Sequence, residues 1–184
     1  PDGRIYWSIG DKGVNVHSKE GRHYFVPNEG CILRIEPDGS NFEIYARGLR
    51  NPQEPAFNEF GDLIAVDNDA DFKGEKERLV YIPEASDSGW RCNYQYMGSR
   101  TLWTSEKLWM PAWEGQAAYH LPPICLSSDG PSGFKRDPGT ALGPEQRAMF
   151  FLTEFPSGIL RAFSLEPAGA SYAQGPVFLC NKGI

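Results

Sequence analysis

The sequence is most informative at first for what it lacks. Its four cysteines, Cys31, Cys92, Cys125 and Cys180, stand alone. With no C-x-x-C pair, zinc ribbons, dithiol redox motifs and c-type haem attachment have no support. Cys31, Cys125 and Cys180 each adjoin apolar residues, as buried thiols do, although a disulfide would leave the same trace. No G-x-S-x-G elbow, H-E-x-x-H, P-loop or G-x-G-x-x-G is present, so hydrolysis by an activated serine or zinc has no local signature. Positive charge is not in excess. The formal net charge is -6 and the pI about 5.1, which argues against a nucleic-acid surface. No apolar run approaches the ~18 residues of a membrane span. The chain has neither an initiating Met nor a signal peptide. It opens on PDGRIYWSIGD, a turn running into a strand, and reads as a mature or truncated piece of a longer polypeptide.

Long helical periodicity is missing too. What is present is glycine (20), proline (15) and short runs rich in Ile, Val, Tyr and Phe, bounded by turn residues. Such runs read as strands, so the fold class is all-β. One phrase recurs, of strand, polar loop, strand and Gly-containing turn. GRIYWSIGD (3–11) leads to CILRIEPDGS (31–40). GDLIAVDND (61–69) leads to RLVYIPEASDSG (78–89). RAMFFLTEF (147–155) leads to GILRAFSLEPAGA (158–170). PQEPAFNEFG and PSGFKRDPG are matching lead-ins to the second and third units. FEIYARG (42–48) and GPVFLC (175–180) are expected to be outer strands that close blades. Degenerate all-strand repeats of this kind predict a β-propeller, and about three blades are too few to close a ring of 4–8. Residues 1–184 are therefore expected to form a partial propeller. The rest of the ring would be supplied by the parent polypeptide or by partner chains.

Residues 97–130 lack alternation and hold three of the five Trp, together with Tyr119 and His120. We read them as a long aromatic loop crossing one face of the ring. His120 there is either a packed or exposed loop residue or a group that meets substrate. His17 and His23 have no metal-ligand spacing and read as surface histidines in a loop.

Taken in order, PDGRIYWSIGDKG (1–13), ILRIEPDGS (32–40), EIYARGLRNPQ (43–53) and SDSGWR (86–91) resemble the soluble quinoprotein glucose/sorbosone dehydrogenase superfamily. Further stretches, such as LRNPQEPAF, VDNDADFKGEKERLVYI and DGPSGF, are similar to a bacterial branch whose membrane-bound-dehydrogenase-type propellers occur in large exported proteins. The resemblance implies a six-bladed propeller that holds pyrroloquinoline quinone (PQQ) and calcium over its axis. It also implies a sugar or alcohol substrate and a periplasmic or secreted setting. Arg50, Asn51 and Gln53 fall where the family reaches the quinone oxygens. Asp11 falls where an acid supports the catalytic histidine. Asp69, Ala70 and Asp71 fall on the turn whose backbone carbonyls hold calcium, and Tyr119 and His120 would face substrate.

Two departures bear on activity. The family's histidine lies upstream of the strand that opens here, and EFPSG (154–158) replaces a loop that carries a lysine. The segment alone is thus expected to be inactive. A non-catalytic propeller that binds glycan or protein, and a calcium-dependent lactonase, are the alternatives.

The residue chemistry fits the first reading. Hydride reduction of a quinone builds negative charge on a carbonyl oxygen, and a fixed guanidinium beside it would stabilise that charge. Arg50 could equally pair with a nearby carboxylate, and Asp11 could simply make an Asx-turn. DNDADFKGEKE (67–77) is dense in oxygen donors suited to calcium, or is a solvated acidic turn. It is not an EF-hand, because Phe72 and Arg78 stand where that loop needs Gly and Glu. If the reading holds, Asp11, Arg50 and the 67–71 turn should converge on one rim, with water, sulfate or a carboxylate on Arg50.

Overall fold

A computed structural model of the chain describes residues 1–92, 99–100, 102–116, 121–127, 130–155 and 157–181, leaving aside the side chains of 103 and 179–181. Among the described residues, fifteen strands form three principal antiparallel sheets and two hairpins. The first sheet runs β1 (Ile5–Ile9), β4 (Gly30–Ile35), β5 (Glu43–Leu49). The second runs β6 (Pro52–Phe57), β7 (Leu63–Asp67), β8 (Glu77–Tyr81), β9 (Cys125–Ser127). The third runs β10 (Pro131–Arg136), β11 (Phe150–Glu154), β12 (Ile159–Phe163), β15 (Phe178–Asn181). These are three propeller blades, and β6 lies against both β1 and β10.

The expected strand pairs are the observed ones. β1 pairs with β4, β7 with β8 and β11 with β12, and β5 and β15 close the first and third blades.

The period-two pattern explains the stacking. In β7, Leu63 and Ala65 face one apolar cluster with Ile32, Leu49 and Val80. The intervening Ile64 and Val66 face another with Phe134, Phe150 and Phe163. Every β7 residue is buried, because a middle blade has a neighbour on each face. Phe134 and Phe150 stack with centroids 5.2 Å apart, so aromatic area dominates the second seam.

Three features differ from expectation. Residues 14–26, read as a loop with surface histidines, form a hairpin of β2 (Val14–His17) and β3 (His23–Val26). His17 and His23 are exposed and stacked 4.5 Å apart. Val14, Tyr24 and Val26 cover Cys31, Leu33 and Phe42 on the face of the first blade away from the second. A second hairpin, β13 (Leu165–Ala168) and β14 (Ser171–Gln174), is inserted between β12 and β15. Within 97–130, Cys125–Ser127 is the blade strand β9, and Leu102–Ser105 is a single α-helical turn, α1. Cys31, Cys92 and Cys125 are free thiols, and burial pushes Cys31 and Cys125 up to about 12.

The first two blades are also joined through the main chain. The segment after β8 runs parallel to β5. Ala85 N–H donates to Tyr45 O, Arg47 N–H to Ser86 O, Ser88 N–H to Arg47 O and Trp90 N–H to Gly48 O, at 2.8–3.0 Å. Gly48 has φ +76°, and a Cβ there would lie 2.2 Å from Asp87 Oδ1. Asp87 in turn takes both Arg91 Nη atoms, at 3.1 and 2.6 Å, and pairs with Arg47 at 3.2 Å. The SDSGWR motif is thus a seam between blades.

Candidate functional site

The candidate site starts from Asp67, the last residue of β7. Its carboxylate is fully buried and accepts main-chain hydrogen bonds from Arg50, at 3.0 and 3.1 Å, and Asn51, at 2.8 Å. Arg78, from the facing position on β8, completes it with a charge-assisted bond through Nη2. Asp67 therefore folds the link from the outer strand β5 to the inner strand β6, and so sets where the Arg50 side chain emerges.

That side chain reaches across the strand ends. Nη1 donates to Asn68 O at 3.2 Å and to Asn68 Oδ1 at 3.1 Å, and Nη2 donates to Asp71 Oδ1 at 2.6 Å. Nε is buried and has no hydrogen-bond partner among the described residues. Asp11 Oδ2 lies 3.9 Å from it. The expected convergence of Asp11, Arg50 and the 67–71 turn is therefore present, with a carboxylate on Arg50. The bland alternative is present as well, since Asp71 is an internal partner. Asn51 packs on Gly10, where a Cβ would come within 2.8 Å of its Oδ1. Gln53 Nε2 donates to Asn51 O at 3.3 Å. Tyr119 and His120 lie outside the described residues.

The acidic turn is wrapped around its own carboxylates. Glu77 Oε2 accepts the N–H of Asp69 at 2.5 Å and of Ala70 at 3.2 Å. Glu75 Oε2 accepts the N–H of Asp71 at 2.8 Å and of Phe72 at 3.0 Å. Asp69 is fully buried, with Arg78 Nε at 3.2 Å. Burial raises the Asp69 carboxyl well above the usual carboxylate range, against the pull of Arg78. Burial also lifts Glu75 to about 7 and raises Glu77. Among the described residues, no three His, Cys, Asp or Glu side chains gather to hold a metal ion.

Sequence reasoning missed Cys92. Burial raises its pKa, and the negative charge of the nearby Asp11 raises it further. No motif surrounds it; only the fold brings it to Asp11, by tying Cys92 N–H to Asn28 O at 2.7 Å.

Strands, blade seams and this rim define the chain as a β-propeller segment. Its likeness among solved structures is to sugar-dehydrogenase propellers. The chain superposes over its full length on the PQQ-bound aldose sugar dehydrogenase of Streptomyces coelicolor, with TM-score 0.62, 18% identity and 47% of that chain covered. It matches a putative oxidoreductase (glucose dehydrogenase) of Thermus thermophilus with TM-score 0.62, 17% identity and 51% of that chain. For the apo-form soluble aldose sugar dehydrogenase of Escherichia coli the values are 0.58, 14% and 51%, over 96% of this chain. The chain spans about half the length of the structures it matches. No family model and no curated protein matches it.

Proposed function

We propose that this chain supplies part of the active rim of a PQQ-dependent sugar or alcohol dehydrogenase. The observation that carries the reading is the meeting of Arg50, Asn51 and Asp11 at one set of strand ends. The donor set fits the quinone in kind. A guanidinium and two side-chain amides stand together, and Arg50 Nε is an orphaned donor. When bound, PQQ would supply the two-electron acceptor for hydride from a carbinol carbon. Arg50 would hold a quinone oxygen, and Asn51 and Gln53 would fix the ring's orientation. Asp11 would orient a base from outside the described residues, which takes the hydroxyl proton. Asp71 occupies Nη2, so ligand oxygens would exchange with its carboxylate.

The resemblance also implies calcium at the 69–71 turn. The side chains of Asp69 and Asp71 are engaged by Arg78 and Arg50, so they do not fit a carboxylate-held ion. A cation there would rest on backbone carbonyls alone, and no step is assigned to it.

The test is a titration of PQQ into the full polypeptide that carries this chain, followed by dye reduction with aldoses. Micromolar binding that falls at least about tenfold in Arg50→Lys, with melting unchanged, supports the reading through loss of the guanidinium fork. Absence of binding at micromolar quinone removes it.

A further inference from the structure

A cavity of about 290 Å³ opens between the second and third blades, lined by Lys76, Trp113, Glu114, Leu126, Ser127 and Arg161 among others. It lies on the same rim as the Arg50 cluster but further out, since Ser127 stands opposite Glu77 in the β8–β9 register. We infer that it binds one neutral pyranose ring of a saccharide.

The first observation is Trp113, which is 63% exposed. An indole left in water on a loose loop would be unremarkable, but this one is mounted. Gln116 accepts from Ala112 N–H at 2.9 Å and donates to Met110 O at 2.9 Å. Pro111 O accepts from Lys76 N–H at 2.7 Å, and Glu114 Oε1 accepts from Leu126 N–H at 2.7 Å. The turn is therefore pinned both to the acidic loop and to β9. The backbone that carries the indole is thus fixed beside the cavity, so stacking on it orders little beyond the side chain itself.

The second observation is the mixture of charges. Arg161 is neutralised by the buried Glu154, 2.8 Å away. Lys76 and Glu114 then leave one ammonium and one carboxylate beside the cavity. An anionic ligand would meet Glu114 and a cationic one Lys76. A polyol suits both, because each hydroxyl can donate and accept. Ser127, nine-tenths buried, adds a hydroxyl with no hydrogen-bond partner among the described residues. The volume is at the small end for ligand cavities and suits a single ring.

The proposal does not rest on the quinone reading, and the experiment separates them. Glucose and cellobiose, with glucuronate and glucosamine as charged controls, are titrated into the PQQ-free protein. Binding is read by saturation-transfer NMR and calorimetry. Millimolar binding of the neutral sugars is expected, with the charged ones no tighter. Trp113→Ala should weaken it about tenfold or more, from loss of the stacking face, with melting and PQQ titration unchanged. Lys76→Met should weaken it a few-fold, and Arg50→Lys should leave it intact. No saccharide binding overturns the proposal. So does binding that survives Trp113→Ala, or binding lost in Arg50→Lys alone, which would move the sugar to the central rim.

Discussion

The second and third blades finish their second strands alike and then part. β7 stops at Asp67 and β11 at Glu154. Each carboxylate is buried and held by an arginine of the next strand, Arg78 or Arg161. Each blade also ties the residue after that acid to the link before its inner strand, Asn68 N–H to Asn51 O at 3.2 Å and Phe155 N–H to Gly130 O at 2.7 Å. There the likeness ends. The second blade follows with the long acidic turn 68–76 and has Arg50 and Asn51 ahead of Pro52. The third joins β11 to β12 through residues 155–158 alone, and its sequence ahead of Pro131 is Ser128, Asp129 and Gly130, with no arginine. A buried acid–arginine pair is thus a device of the blade, while the extra guanidinium and the acidic turn belong to one blade only. Function is to be sought in what the repeat does not share.

The largest effect is expected from removing the two arginines. Arg78 is 1% exposed and serves both Asp67 and Asp69. Arg78→Ala should cost about 3–5 kcal/mol in urea unfolding, because two buried carboxylates lose their counter-charge. Arg161 is 24% exposed, so water can reach Glu154 in its absence. Arg161→Ala should cost only about 1–2 kcal/mol. Equal costs would show that the third blade relies on its pair as heavily as the second.

A smaller effect is expected from the acidic turn. Burial, with Asp71 and Glu77 nearby, lifts Glu75 from 4.5 to about 7 in the folded chain, against two main-chain hydrogen bonds. The folded state thus holds its proton more tightly than the unfolded one. The stabilisation is fully present below pH ~4.5 and fades as pH rises through about 7, and the raised Asp69 and Glu77 act in the same direction. Glu75→Gln should be more stable than the parent at pH 8, by on the order of 2–3 kcal/mol, and no different near pH 4. Melting curves at both pH values check this.

The smallest effect should come from Asp71→Ala. Its ion pair with Arg50 is partly exposed, so stability should change by less than about 1 kcal/mol. If Asp71 only keeps the place of a ligand carboxylate, PQQ affinity should rise a few-fold in the same variant. An unchanged or lower affinity would make the pair a staple.

Much of the frame was legible because alternation and turn residues repeat. The main strand pairs and both expected closing strands follow from phrases such as SIGD and LRIEPDGS. The hairpin 14–26 was not, since its exposed HSKEGRH reads as a solvated loop and hides the short apolar face of Val14, Tyr24 and Val26. β9 was hidden for a related reason. It is three residues long, CLS, and is a strand only because β8 offers it an edge. At the candidate site, the meeting of Asp11, Arg50 and the 67–71 turn could be inferred from equivalent strand ends. The inward fold of Glu75 and Glu77 could not, because a run of acids looks alike whether it faces water or its own amides. Cys92 reaches Asp11 only through tertiary contacts.

The ladder between β5 and residues 85–90 has a consequence for how the segment comes apart. Those four main-chain bonds lie in parallel along one edge and are backed by the fully buried Trp90. The first blade cannot swing away without breaking them together. The amides of Ala85, Arg47, Ser88 and Trp90 should therefore exchange with deuterium as one group, at a common opening free energy, while those of the exposed β2–β3 hairpin exchange sooner. With its outer edge covered, β5 also offers no template to a strand from another molecule.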